Sequence, residues 1–393
     1  MEPSEGRRPV PRVRRLVIKV GTSSLVDSSG SVVPGLAKVV RDVVTVSRGG
    51  DRACVLVSSG AIASGLAALG SARRPSRLPA LQAAAAVGQG RLFSEYARRF
   101  ARQGLLAAQV LLTQDDFVRR RQFVNAQNTL EHLLSAGVIP IVNENDTVAT
   151  EEITFGDNDR LAALVAIMVK SDLLVLLSDV DGIYTTDPGK QGARFVAEVL
   201  DPLNVRATGS RNSLGSGGMA SKLQAAGLAT AAGIPTVVAP ASGKDVLSRV
   251  LAGEPLGTWL PARSGRKGAR KAWMAFATTP RGQIHVDAGA ERALRDLGKS
   301  LLAAGVVSIE GSFAPGDPVE VVGPAGAVFA RGITRLSAQD LAQMAGRPRS
   351  LRAPASQRAE RPHALGSATG GSSDGEVIHR DELVVTGEDP WRS

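Results

Sequence analysis

Residues 139–159 read IPIVNENDTVATEEITFGDND. An apolar run, Ile139-Pro140-Ile141-Val142, gives way to Asn143-Glu144-Asn145-Asp146, and a second polar cluster, Gly156-Asp157-Asn158-Asp159, opens an apolar segment of helical character from Leu161. Buried strands commonly end in polar turns, so the two clusters read either as surface turns or as loops converging on a ligand that carries hydrogen-bond donors or cations. Carboxylates and amide oxygens at the carboxyl end of a parallel strand face the usual ligand crevice of an open α/β sheet, which makes the rest of the chain the arbiter.

Working outward, the same design recurs. Residues 16–20 (LVIKV) form a β-branched strand that ends in Gly21-Thr22-Ser23-Ser24, and residues 53–57 form a second that ends in Ser58-Ser59-Gly60. Further strands are expected at 105–112, 138–142, 173–177 and 235–239. Helical spacing of apolar residues marks 34–47, 61–69, 125–136, 161–169, 223–232 and 244–252, and 78–101 reads as a long alanine-rich helix broken near residues 88–90. Asp157 or Asn158 is suited to cap the helix after the opening stretch. Strands alternating with helices predict a three-layer αβα sandwich around a mainly parallel sheet, over residues 14–260.

Residues 261–271 (PARSGRKGARK) carry five basic residues with little to bury, a linker by composition. Beyond it, short segments at 273–278, 283–286, 306–309 and 319–322, separated by Gly and Pro, predict a small β-rich domain with one or two helices over 272–393. Residues 1–13 and 347–374 are Arg-, Pro-, Ser- and Gly-rich and read as disordered, while 376–385 recovers strand-like character, with a final strand expected at 376–381.

With 43% hydrophobic and 21% charged residues, the composition is that of a globular protein. The formal charge of +10 concentrates in residues 1–15, 262–271 and 347–361, which reads as solvated tails and linkers before it reads as a nucleic-acid surface. The single cysteine, Cys54, lies in an apolar strand and makes neither a disulfide nor a zinc cage, which fits a reducing, cytoplasmic setting. No secretory leader and no membrane span are evident.

Lys19 inside a buried strand is the first chemical signal: it reads as an edge lysine facing solvent or as a cation delivered to phosphate beside a glycine turn. Ser178-Asp179 closes another strand, and Gly215-Ser216-Gly217-Gly218-Met219-Ala220-Ser221-Lys222 joins glycines to a second lysine at a helix start. Parallel strands put these loops on one rim, where two lysines and several glycine turns suit phosphoryl transfer. Neither a GxxxxGK[ST] loop nor an HRD/DFG set occurs. The GxGxxA match at 215–220 follows no convincing strand and lacks the ribose-binding acid about twenty residues on, and His132, His285, His363 and His379 lack metal-ligand spacing.

The stretches VIKVGTSSL, VSSGAIASG, IPIVNENDTVATEEITFGDND, LLSDVDGIYTTDP and GSGGMASKLQAA, in that order, resemble the amino acid kinase family, and among its members those that phosphorylate glutamate. The part from about Trp273 resembles the PUA domain that many such kinases carry. The resemblance implies that ATP, with Mg²⁺, phosphorylates the γ-carboxylate of L-glutamate. It assigns Lys19 and Lys222 to the transferred phosphoryl group and Asp159 to holding the lysines. Ser59, Asp146 and Asn158 would bind glutamate, with Asp146 facing its ammonium. Gly21, Thr22, Ser178, Asp179 and residues 216–222 (Ser216, Gly217, Gly218, Met219, Ala220, Ser221, Lys222) would bind ATP. Feedback inhibition by proline and assembly into a dimer or tetramer are further expectations. The competing readings are a kinase of the same fold acting on aspartate, carbamate or N-acetylglutamate, and an RNA-binding protein acting through the PUA-like domain, whose strand order the 347–374 insertion interrupts.

Overall fold

The computed structural model describes residues 10, 12–25, 34–49, 52–71, 74–113, 115–148, 158–186, 188–200, 202, 218–262, 280–345 and 375–385. The chain divides into two compact units, Met1–Arg270 and Lys271–Ser393.

In the first unit the elements run β1 (Arg15–Val20), α1 (Pro34–Arg48), β2 (Ala53–Ser58), α2 (Ala61–Ala68), α3 (Leu78–Ala101), β3 (Ala107–Leu112), α4 (Asp115–Val118), α5 (Arg120–Ser135), β4 (Ile139–Glu144), α6 (Asn158–Met168), β5 (Leu173–Ser178), a small hairpin of β6 (Ile183–Tyr184) and β7 (Phe195–Val196), α7 (Gly218–Ala231), β8 (Thr236–Pro240), α8 (Val246–Leu251) and β9 (Thr258–Leu260). The sheet order is β3-β4-β2-β1-β5-β8-β9. Its neighbours pair in parallel except β9, which runs antiparallel along β8. That closing strand escapes sequence reading because three residues carry no period.

Side chains alternate across a strand, and β1 shows what this does. Leu16, Ile18 and Val20 enter a core with α1, α3 and α8, alongside Cys54, Leu56, Ile141 and Val175. Lys19 therefore points to the opposite face, where α5, α6 and α7 pack. Helix α6 is buried almost all round, as expected of a helix wedged between a sheet and another helix rather than lying at the surface.

Helix α3 is continuous, so the break expected at residues 88–90 is absent. Gly88 serves packing instead: a Cβ there would lie 1.8 Å from the Ala61 carbonyl oxygen, and one at Gly65 would lie 1.7 Å from that of Ala84. Paired glycines let the two helices touch backbone to backbone, and that contact overrides the local cost of glycine in a helix. The expected glycine loop at 215–222 is also revised, since Gly218 to Lys222 already form the first turns of α7.

The second unit holds β10 (Gly282–Val286), α9 (Ala288–Arg295), β11 (Leu301–Leu302), β12 (Val306–Gly311), β13 (Pro318–Val322), β14 (Val328–Ile333), α10 (Ala338–Ala345), β15 (Glu376–Ile378) and β16 (Leu383–Val385). A five-stranded sheet, β12-β10-β13-β14-β16, packs with β11-β15 around Ile284, Phe313, Phe329, Leu341, Val377 and Ile378. The strand-like stretch expected at 376–385 is split, and the strand expected at 376–381 shortens to Glu376–Ile378. Ile378 pairs with Leu301, whereas Leu383 to Val385 turn onto β14. Of the segments expected at 1–13, 261–271, 273–278 and 347–374, residues 1–9, 11, 263–271, 273–278 and 347–374 lie outside the described residues, whereas Val13, expected in a disordered extension, is buried in the core of the first unit. Among the described residues no helix is long and apolar enough to cross a membrane.

Candidate active site

Parallel pairing sends the carboxyl ends of β1, β2, β4 and β5 to one rim, and the amino ends of α6 and α7 lie at Asn158 and Gly218. There the carboxylate of Asp159 sits between two ammoniums. Lys19 Nζ is 2.6 Å from Oδ1, and Lys222 Nζ donates to Oδ2 at 3.0 Å. The side chains of Lys19, Asp159 and Lys222 are 4%, 0% and 10% exposed. Isolated charges at that depth are costly, and a carboxylate shared by two cations offsets much of the desolvation. It also leaves one positive charge in surplus, to which the two helix amino ends add their partial positive charge.

Long side chains in a helix point back towards its amino end, and Lys222 does so: a Cβ on Gly218 would approach its Nζ to 3.9 Å. A Cβ on Gly21 would stand equally close, 3.9 Å, to Lys19 Nζ. Neither glycine puts a side chain beside its ammonium, an arrangement that suits a ligand with spread negative charge.

Beside the cation pair runs a chain of amides. Asn158 Nδ2 donates to the Ser58 carbonyl oxygen at 2.6 Å, to Asn143 Oδ1 at 2.7 Å and to Ser59 Oγ at 3.1 Å. Asn143 Nδ2 in turn donates to Gln89 Oε1 at 2.6 Å. Ser59 is followed by Gly60, whose φ of 97° is left-handed and favours glycine. That turn delivers Ser59 from β2 to the amino end of α2. Of the two residues suited to cap α6, Asp157 lies outside the described residues, and Asn158 spends its amide N–H groups tying α6 to β2 and β4.

Residues 14–240 match the amino acid kinase family, and residues 282–350 match the PUA domain. This chain belongs to the amino acid kinase family. It is 46% identical over 380 residues to the glutamate 5-kinase of Salinispora arenicola, covering 96% of this chain and 99% of that one. It is 43% identical over 392 residues to the glutamate 5-kinase of Moorella thermoacetica, covering 98% and 100%. A carbamate kinase from Giardia lamblia bound to AMP-PNP is similar in structure with a TM-score of 0.47 and 18% identity, over 64% of this chain and 99% of that one.

In this amino acid kinase the sequence-derived residues fall into three sets. Lys19, Asp159 and Lys222 meet directly, as do Ser59 and Asn158. The others are held by local contacts at strand and helix ends. Ser178, buried at the end of β5, has its Oγ 3.3 Å from Asp179 Oδ1. Thr22 is exposed in the short 3-10 turn Thr22–Ser24, and Met219, Ala220 and Ser221 occupy the first turn of α7. Asp146 lies in the turn after β4, where burial raises its carboxyl pKa and the nearby charge of Arg74 opposes the rise. Ser216 and Gly217 lie outside the described residues.

Two members of this amide chain, Asn143 and Gln89, are absent from the sequence-derived set. Asn143 carries a legible signal, being an amide inside the last two residues of a strand buried throughout. Gln89 does not, because it sits between the two glycines that read as a helix break.

Proposed function

We propose that this kinase is a glutamate 5-kinase, which transfers the γ-phosphoryl group of ATP to the γ-carboxylate of L-glutamate and yields L-glutamyl 5-phosphate and ADP. The observation that carries the reading is the buried Asp159 carboxylate holding Lys19 and Lys222 at 2.6 and 3.0 Å beside two glycines. The full-length likeness to glutamate 5-kinases selects the acceptor.

A side-chain carboxylate with a pKa of about 4.3 is ionised at neutral pH and attacks phosphorus without a general base. As its oxygen bonds to the γ-phosphorus, the bond from that phosphorus to the bridging oxygen breaks and ADP leaves with the electron pair. Charge spreads over the transferred group, and Lys19 and Lys222 neutralise it. Asp159 touches no reacting atom and holds both ammoniums in place. Ser59, Asp146 and Asn158 bind glutamate, with the Asp146 carboxylate on its ammonium. Gly21 and Thr22 line the phosphate path, and Ser178, Asp179 and residues 216–222 take the nucleotide. Mg²⁺ belongs to the substrate, MgATP, and shields its phosphates.

The reaction is the first step from glutamate towards proline, and proline inhibits by overlapping the glutamate site. The test is a hydroxamate assay, in which hydroxylamine traps the acyl phosphate. Product that requires both L-glutamate and ATP, and falls as proline is added, is expected. A strong preference for aspartate, carbamate or N-acetylglutamate would overturn the substrate assignment.

A further inference from the structure

The amide chain beside the cation pair has a direction. Both N–H bonds of Asn158 Nδ2 are committed to protein acceptors, Ser58 O, Ser59 Oγ and Asn143 Oδ1. Its Oδ1 accepts no hydrogen bond among the described residues, so oxygen is the end left for a ligand. The Ser58 carbonyl oxygen, which can only accept, sets that orientation, and Asn143 reinforces it, because an Asn143 amide rotated by 180° would set N–H against N–H. Two groups hold Asn143 the right way round: the Glu144 N–H donates to its Oδ1 at 2.9 Å, and Gln89 Oε1 accepts from its Nδ2 at 2.6 Å.

Gln89 is brought there by the backbone-to-backbone contact of α2 and α3. Gly88, its neighbour, lies so close to the Ala61 carbonyl that no Cβ fits, and Ala61 begins α2 two residues after Ser59. Helix α3 is thereby registered against the same turn that presents Ser59.

We propose that Gln89 is a positioning residue for the amino-acid substrate: it locks the Asn143 amide, which locks the Asn158 amide with its oxygen towards the substrate's ammonium group. Gln89 does so from α3, a helix that supplies no other residue to the site described above. The inference deepens the glutamate kinase reading and rests on it, and turnover of glutamate by the unaltered protein checks that reading separately.

The test is Gln89→Met, which preserves length and helix preference and removes the acceptor. Loss of one orienting hydrogen bond predicts a KM for glutamate raised about tenfold, with KM for ATP and kcat at saturating glutamate unchanged. Glutarate, which lacks the ammonium, serves as a competitive probe, and its inhibition constant should be the same in both proteins. An unchanged KM for glutamate, an equal rise for ATP, or a tenfold weaker inhibition by glutarate would each overturn the proposal. If thermal melting shows that the Met variant does not fold, Gln89→Ala gives the same readouts, since alanine is the residue best tolerated in a helix.

Discussion

Asp159 can neutralise only one of the two ammoniums it touches, and the surplus charge is what a phosphoryl group meets. Lys222→Ala should therefore lower kcat at least ~100-fold, the order expected for losing a transition-state charge, while urea unfolding shows the fold intact. Near-normal turnover in a folded variant would remove Lys222 from the chemistry. Asp146 gives a pH signature. Burial raises its carboxyl pKa above the usual range, against the pull of Arg74, and only the ionised form pairs with an ammonium. KM for glutamate should thus start to rise at a higher pH than an ordinary aspartate would dictate as the medium is acidified, and Asp146→Asn should abolish that limb. The stability effect has the opposite sign from a salt-bridged acid. With the folded pKa raised, the group's contribution is fully present below the unfolded pKa and is lost as pH rises through the folded one. Asp146→Asn should then gain most, relative to the parent, at neutral pH, as denaturant unfolding at acid and neutral pH would show.

Two glycines two residues apart on α3 have opposite meanings. A Cβ at Gly88 would strike backbone, whereas one at Gly90 meets nothing within 4 Å. Gly88→Ala should cost about 2–3 kcal/mol by forcing α2 and α3 apart, and Gly90→Ala should stabilise by about 0.5–1 kcal/mol through helix preference. Denaturation midpoints of the two variants test the pair. The same position shows where sequence reading stops. Lys19 is legible because a charge in an apolar strand is locally anomalous, and Lys222 because glycines precede a lysine at a helix start, whereas an acid in a first helical turn is ordinary and Asp159 is assigned through the family resemblance; the strands of the parallel sheet are legible because β-branched runs are. Read locally, the glycines break the helix at residues 88–90, and only the neighbouring helix reverses this. The bond from Asn143 to Gln89 spans 54 residues of chain, and no period connects them. Likewise β9 is too short to show a pattern, and β15 and β16 look like one strand until the sheets claim them separately.

Every residue assigned to glutamate or ATP belongs to the unit that ends at Arg270, so a chain ending there should fold and keep kcat within about threefold, as separable domains do. Ending the chain before residue 375 would act differently. It would remove Val377, Ile378 and Leu383 from the second core and leave Arg335 without Glu376 and Glu382, and loss of the second unit's melting transition would register this. The sheet of the first unit also contains a built-in clock. Cys54, the one cysteine in the sequence, is 0% exposed in β2, and burial pushes its thiol up to about 12. A thiol reagent can reach it only when the central strands part. The rate at which the protein takes up a single label, followed in excess reagent, therefore measures how often this sheet opens, and ligands that hold the rim closed should slow it.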